Sequence, residues 1–192
     1  MSVTTLSTYH VAEPRAPFQV TRDRDRIAEA MAGLGVHFEH WTAGHALADG
    51  ATPADVLTAY SQSVSRLKDA RGYQSVDVVR MGPDHPDRVA LRAKFLQEHV
   101  HDDDEARFFV EGAGAFYIRT PEHVYQLDAH AGDLIVLPKA TTHWFDAGER
   151  PRFAAIRLFT TPDGWVARYT GDPIAVTFPP YDGFRPPEPE TR

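Results

Sequence analysis

The sequence predicts one mainly β domain, a small antiparallel β-barrel or jelly roll, with several α-helices mostly in its N-terminal half. Short apolar runs that alternate with turn residues carry this prediction from about residue 99 onward: ARFFV, AFYIR, HVYQL, DLIVL, THWFD and RFAAIRLF. Many short strands at such spacing are typical of sandwiches and barrels. The length of 192 residues and the hydrophobic content of 42% suit a single domain with a sizeable core.

Residues 1–90 predict a mixed α/β part that packs on the barrel. Apolar residues recur at helical spacing in three stretches, which are bounded by capping residues, Gly or Pro. Thr52-Pro53, for example, combines an N-cap with a proline at the first helical position. The predicted helices are 23–33, a single helix from Pro53 to Gly72, and 87–96, and the predicted strands are 36–41 and 75–81.

The predicted organisation is one domain over 1–192, in which 91–175 forms the barrel core. The last stretch, 179–192, is rich in proline and charge, so we expect a tail that is wrapped on the surface or disordered. Turn residues predict breaks between the strands of the core at EGAG (111–114), Thr120-Pro121, AGD (131–133) and Ala147-Gly148.

Composition excludes several classes of function. The formal net charge is -7 and no run of Lys or Arg occurs, so a nucleic-acid partner is not expected. The chain has no cysteine, so any metal must be bound by nitrogen and oxygen. No signal peptide is recognisable at the N-terminus and no apolar run approaches the ~18 residues of a membrane span. We therefore expect a cytoplasmic protein with no membrane partner.

One segment, EHVHDDDEARFFVEGAG (98–114), carries the functional signal. His99 and His101 are two residues apart, and on a strand such positions point to the same face. Glu105 and Arg107 share that parity if the intervening turn does not shift it, and a later segment supplies His143. Three imidazoles and one carboxylate suit iron, nickel, manganese, copper or zinc, among which affinity alone does not choose.

Structural alternatives exist for each part of this set. A lone His-x-His on a strand is usually not a metal site, and the acidic run Asp102–Asp104 reads as a solvated turn that could also tune the site. No nucleophile elbow and no phosphate-binding loop accompany the set. The remaining histidines are expected to be surface or packing residues: His10, His37, His40, His45, His85, His123 and His130.

The combination is more specific than its parts. His-x-His, a carboxylate four residues on, and then Gly-x5-Pro-x4-His match the two-part cupin motif, apart from Ala140 and Ala147 at two non-ligand positions. Beyond that motif, the chain resembles the acireductone dioxygenase family. The resemblance rests on four stretches: GYQSVDVV (72–79), LRAKFLQEHVHDDDEARFFVEGAGAFYI (91–118), GDLIVLPKATTHWFDAG (132–148) and FAAIRLFTTPDGWVARYTGDPIA (153–175).

The resemblance implies a cupin fold and a metal, Fe2+ or Ni2+, one per chain, held by His99, His101, Glu105 and His143. It also implies that the substrates are O2 and an acireductone, 1,2-dihydroxy-5-(methylthio)pent-1-en-3-one, an intermediate of methionine salvage. With Fe2+ the family forms 4-methylthio-2-oxobutanoate and formate. With Ni2+ it forms 3-methylthiopropanoate, formate and CO.

Five residues are predicted to complete the site. Arg107 would stabilise the substrate anion, although an internal salt bridge is its alternative role, and Arg157 is a second candidate for the same anion. Phe95, Phe145 and Trp165 match family positions that line the substrate pocket, and each could equally be a core residue.

Other functions stay open at this point. One is another metal-dependent cupin, such as a quercetinase-like dioxygenase or a sugar isomerase, and another is a non-catalytic cupin that binds a small molecule. The pair Arg107 and Arg157 and the N-terminal helices argue against the first. The full set of four ligands argues against the second. We expect a monomer, because a closed barrel would remove the sheet edges that invite pairing.

Overall fold

The computed structural model describes residues 3–181. Its strands are β1 (Thr5–His10), β2 (Gln19–Thr21), β3 (His37–His40), β4 (Ser75–Met81), β5 (His99–Val100), β6 (Glu105–Arg119), β7 (His123–His130), β8 (Asp133–Leu137), β9 (His143–Asp146), β10 (Arg152–Phe159) and β11 (Arg168–Tyr169). Its helices are α1 (Arg24–Gly33), α2 (Pro53–Ala59), α3 (Ser61–Arg71), α4 (Arg88–Phe95) and a 3-10 helix over Pro173–Thr177.

The described strands form one 11-stranded antiparallel sheet, and β6 belongs to both of its halves, which are called the two sheets below. The first half of β6 pairs with β8 and β10, which extend to β3 and β4. Its second half pairs with β7 and β9, which extend to β1 and β2 on one side and to β5 and β11 on the other. The two sheets enclose the core between them, as in a jelly roll.

The change of partners along β6 occurs at a glycine. Gly112 has φ +68, and a Cβ there would lie 1.7 Å from the carbonyl oxygen of Arg152 on β10. The register with β10 also shifts between Ala154 and Ala155, which marks a β-bulge. The predicted break over 111–114 is therefore wrong. The glycine bends a continuous strand instead of ending it, because only a residue without a side chain fits this backbone.

Residues in the first half of β6 alternate between the inner and outer faces as the sequence predicts, and the bulge shifts this parity in the second half. Phe109 and Phe116 belong to the enclosed apolar cluster, together with Phe145 of β9 and Phe153 of β10. Phe108, in contrast, faces outward and packs under the helices. The inner face of β6 is thus the one that carries Glu105, Arg107 and Phe109.

Two helices cover the outer face of the sheet that contains β8 and β10. These are α2 and α3. Val56 of α2, Tyr60 between the two helices and Leu67 of α3 lie in one buried cluster with Phe108. The predicted single helix over 53–72 is interrupted at Tyr60, whose φ of -108 departs from helical geometry. The buried Tyr60 side chain exchanges hydrogen bonds with the backbone of His45 through its hydroxyl, so its anchoring coincides with the break.

The N-terminal and C-terminal segments cover the outer face of the second sheet. Tyr9 of β1, which sequence analysis did not assign to a strand, packs there against Trp144 and Phe178 in one buried cluster. The hydroxyl of Tyr117 donates to the carbonyl of Pro179 at 2.9 Å. Of the predicted tail, residues 182–192 lie outside the described residues.

The predicted fold class is confirmed: a mainly β cupin-type structure with its α-helices in the N-terminal half. The argument for a monomer changes, however. Among the described strands, β2, β3, β4 and β11 each pair with one neighbour and so form edges, which a closed barrel would not have. In the described part of the chain, no helix has both the length and the apolar character that a membrane crossing needs.

Candidate metal centre

Three strands bring the predicted ligands together at one end of the core. His99 on β5 lies opposite His143, the first residue of β9, as a cross-strand pair. His101 follows β5 directly, and Glu105 is the first residue of β6. Ring nitrogens of the three histidines lie within 4.8 Å of one another. All three histidines are buried, with exposed fractions of 2–8%.

The carboxylate of Glu105 faces the same point. Its Oε2 lies 3.5 Å from Nε2 of His101 and 3.5 Å from Nε2 of His143. Glu105 is 1% exposed, and its Oε2 has no hydrogen-bond partner among the described residues. A buried carboxylate oxygen without a partner is costly, and a cation between it and the imidazoles would remove that cost.

Backbone carbonyls fix the orientation of each imidazole. Nδ1 of His99 lies 2.7 Å from the carbonyl oxygen of Gln97, and Nδ1 of His143 lies 2.8 Å from that of Thr141. For His101 the acceptor is the carbonyl of Val166, at 3.1 Å. A carbonyl only accepts, so each Nδ1 carries the proton. Each Nε2 is then left with the lone pair that a metal requires.

Burial and neighbouring charges set the protonation states. Burial, aided by His143, lowers the pKa of His99 to about 4. Burial likewise lowers the pKa of His101. Burial alone would raise the pKa of Glu105, but Arg107 and the two facing imidazoles more than offset it and hold that pKa well below its usual range. At neutral pH His99 and His101 are therefore neutral and Glu105 is ionised, which is the form in which these groups bind metal.

This donor set fits a divalent transition metal. Three imidazole nitrogens and one carboxylate oxygen suit Fe2+ and Ni2+ as well as Zn2+, Mn2+ and Cu2+. The unpartnered Oε2 of Glu105 and the carbonyl-anchored imidazoles are the features that a bound cation would explain.

Arg107 lies beside these ligands, inside the core. Its guanidinium donates to Oε1 of Glu105, so the predicted alternative of an internal salt bridge is present. The same group stacks over two aromatic rings, 4.7 Å from the centroid of Phe116 and 4.9 Å from that of Phe145. Its Nε has no hydrogen-bond partner among residues 3–181. Arg107 is thus a buried cation with a donor to spare next to the metal ligands.

Arg157 is placed differently. It lies opposite Arg107 on β10, but its guanidinium forms two hydrogen bonds with Asp77 of β4, at 2.8 and 2.6 Å. Asp77 thereby neutralises much of the charge that the sequence assigned to substrate binding. A direct role for Arg157 stays a prediction.

The three predicted pocket aromatics divide into two groups. Phe145 is buried next to Arg107, and Phe95 at the end of α4 packs edge-on against it with ring centroids 5.9 Å apart. A two-bonded ion pair between Arg92 and Asp146 holds α4 in that place. Trp165 is 53% exposed, in the segment between β10 and β11. Its substrate contact stays a prediction.

Two carboxylates near the ligands have partners that sequence analysis did not predict. Glu98 is buried and accepts hydrogen bonds from Arg119 and from the hydroxyl of Thr170. Asp103 is 5% exposed, so the solvated turn expected for the acidic run is wrong at this position. Their partners are distant in sequence, and no local pattern marks such contacts.

Comparison with known proteins agrees with this geometry. The model of the ARD/ARD' family matches residues 25–167. Acireductone dioxygenase of Parvibaculum lavamentivorans is 52% identical over 94% of this chain and 98% of its own length. The enzyme of the same name from Pseudomonas paraeruginosa is 48% identical over 92% and 98%.

A solved structure is also similar: acireductone dioxygenase from Bacillus anthracis with a cadmium ion in its active center. The two superpose with a TM-score of 0.74 at 26% identity, over 88% of this chain and 99% of that one. Family model, sequence relatives and fold therefore agree. This chain belongs to the acireductone dioxygenase (ARD/ARD') family.

Proposed function

We propose that this protein is a metal-dependent dioxygenase that cleaves an acireductone with O2. One observation carries the proposal. Three carbonyl-anchored imidazoles and the unpartnered Oε2 of Glu105 converge next to the buried guanidinium of Arg107. The relatives named acireductone dioxygenase, at 48–52% identity, support it.

The metal in this proposal is one Fe2+ or Ni2+ per chain, held by His99, His101, Glu105 and His143. When bound, it supplies Lewis acidity and a template for a substrate with neighbouring oxygens. The cadmium ion in the active center of the Bacillus anthracis protein supports a divalent cation in this family.

Arg107 is the group we assign to the substrate anion. The substrate is an enediol whose deprotonated form is electron-rich, and a fixed cation lowers the energy of that anion. The unpartnered Nε of Arg107 is available for a substrate oxygen without loss of the contact with Glu105. Arg157, with its charge shared by Asp77, would add positive potential from the neighbouring strand.

The apolar part of the site suits the methylthio end of the substrate. Phe145 and Phe95 form an aromatic wall beside Arg107, and such a wall excludes water from a reactive anion. Trp165 would contact the substrate from the exposed segment after β10.

The products depend on the metal. We propose 4-methylthio-2-oxobutanoate and formate with Fe2+, and 3-methylthiopropanoate, formate and CO with Ni2+, as in the family. Both atoms of O2 enter the products in either case, so no external reductant is needed. The pathway is then methionine salvage, and a cytoplasmic monomer remains our expectation.

The test is anaerobic mixing of Ni2+-loaded or Fe2+-loaded protein with synthetic acireductone, followed by admission of O2. We expect substrate loss and O2 uptake well above the metal-free protein, with CO released by the Ni2+ form alone. Metal-loaded Glu111→Gln is a matched control, because Glu111 lies on β6 but pairs with Arg80 away from the ligands. Rates equal to those of the metal-free protein would refute the proposal.

A further inference from the structure

Asp103 differs from its neighbour in the acidic run that links His101 to Glu105. The Asp102 side chain is 74% exposed and pairs with Arg168 at the surface, whereas Asp103 is 5% exposed. A buried carboxylate needs several donors to offset the loss of water. The hydrogen-bond donors around Asp103 therefore indicate its role in the structure.

Both oxygens of Asp103 hold the chain just after β10. Oδ1 accepts from the hydroxyl of Thr160 and from the backbone N–H of Asp104. Oδ2 accepts from the backbone N–H of Thr161 at 2.7 Å and from its hydroxyl at 3.1 Å. The segment between two predicted metal ligands is thus fastened to residues nearly sixty positions later.

A tight turn leads from this contact to a ligand. The N–H of Gly164 donates to the carbonyl of Thr161, and that of Val166 donates to the carbonyl of Asp163. The turn packs so closely that a Cβ on Gly164 would lie 2.3 Å from Oδ2 of Asp103. At the end of the turn, the carbonyl of Val166 accepts the Nδ1 proton of His101 at 3.1 Å.

We propose that Asp103 is a positioning residue for the metal centre: it fixes the turn Thr160–Val166 so that the Val166 carbonyl orients the His101 imidazole. The inference rests on the proposed metal site and concerns how one ligand is held. His99 and His143 take their carbonyl partners from residues two positions before them, so their orientation is local. His101 alone among the three depends on a partner brought in by a distant contact.

The contact requires a carboxylate. Each oxygen of Asp103 accepts from a backbone N–H, one from Asp104 and the other from Thr161. An asparagine has one accepting oxygen and an NH2 group. Either orientation of Asp103→Asn would place that NH2 against a backbone N–H, that of Asp104 or that of Thr161, so one of the two backbone hydrogen bonds would be lost.

The first measurement is release of Ni2+ from the loaded protein to excess chelator. Partners that orient a ligand are worth about 10- to 100-fold in metal affinity. Asp103 does not contact His101 itself but holds the turn that carries the Val166 carbonyl, so we expect about tenfold faster release of Ni2+ from Asp103→Asn. Asp102→Asn is the matched control, since it makes the same change one residue away on an exposed carboxylate, and its release rate should equal that of wild type.

Gly164→Ala disturbs the same contact from the other side. It should also speed Ni2+ release, and adding it to Asp103→Asn should give less than the product of the two effects, because both act through one turn. This second variant keeps the test decisive if Asp103→Asn folds poorly.

The second measurement distinguishes positioning from general loosening. In 15N NMR of the Zn2+-loaded protein, the Nδ1–H protons of His99 and His143 serve as internal references. We expect the His101 Nδ1–H of either variant to exchange selectively faster with solvent. Equal changes at all three histidines, or wild-type Ni2+ release from both variants, would overturn the inference. A wild-type protein that retains no Ni2+ would refute the proposed metal site itself.

Discussion

Replacing Arg107 by methionine removes a buried charge while keeping most of the side-chain volume. The new side chain would still pack on Phe116 and Phe145, which lie 4.7 and 4.9 Å from the guanidinium carbon. What is lost is the hydrogen bond to Oε1 of Glu105 and the positive charge beside the predicted substrate.

The size of the effect depends on whether metal is bound. Without metal, Glu105 is a 1% exposed carboxylate that loses its paired cation, and breaking such a pair costs about 3–5 kcal/mol of stability. When metal is bound, the metal ion still places positive charge next to Glu105, so the loss of stability should be smaller. Turnover should fall roughly a hundredfold, because a preorganised charge contact with the developing anion is worth about 3 kcal/mol.

The assay compares turnover per bound metal with urea unfolding of the metal-free and loaded forms. Arg80→Met is the control, since Arg80 forms an ion pair with Glu111, with an N–O distance of 3.1 Å, that is less buried and lies away from the ligands. It should lose stability but keep turnover per metal. If Arg107→Met retains turnover within about threefold of wild type while binding metal normally, Arg107 is only a structural partner of Glu105.

Three further results are expected. His143→Ala should lose most of its bound metal in elemental analysis after gel filtration, whereas His123→Ala on β7 should keep it, and equal stoichiometry in both would reject the ligand assignment. Gly112→Ala should lower the free energy of unfolding in urea by more than about 2 kcal/mol, because φ is +68 and the added Cβ meets a backbone carbonyl. Gly50→Ala, with open space around it, should leave the free energy of unfolding almost unchanged. Similar free energies for the two variants would show that β6 does not need its glycine. Burial raises the pKa of Asp128 from 3.8 to about 6, so stability present at low pH is lost as pH rises through that range, and Asp128→Asn should be more stable than wild type at pH 7.5 by at most about 3 kcal/mol but not at pH 4. Identical pH profiles of thermal unfolding would contradict this assignment.

Local periodicity predicted much of this structure. The alternation of ARFFV placed Glu105, Arg107 and Phe109 on one face, and the enclosed cluster contains Phe109. The strands DLIVL and RFAAIRLF have the bounds expected from their turn residues. Side-chain parity is a property of the strand itself, so it can be read without knowing the partner strand.

Properties that depend on distant partners could not be predicted in the same way. Gly112 looked like a strand end because glycine serves both in turns and in bulges, and only the approach of β10 distinguishes the two. The ion pair of Arg157 with Asp77 and the burial of Asp103 depend on residues 57 to 80 positions away. Nothing in the neighbouring sequence indicates these contacts.

Because His99 and His143 form a cross-strand pair, the supply of metal should affect the stability of the folded protein. His99 and His143 come together only when β5 and β9 pair, because they are far apart in the sequence. A metal that binds the folded form alone stabilises it by mass action, by about 2.7 kcal/mol at a free concentration one hundred times Kd. A shortage of the metal would then shorten the protein's lifetime in a cell and also abolish its activity, since proteases degrade unfolded chains.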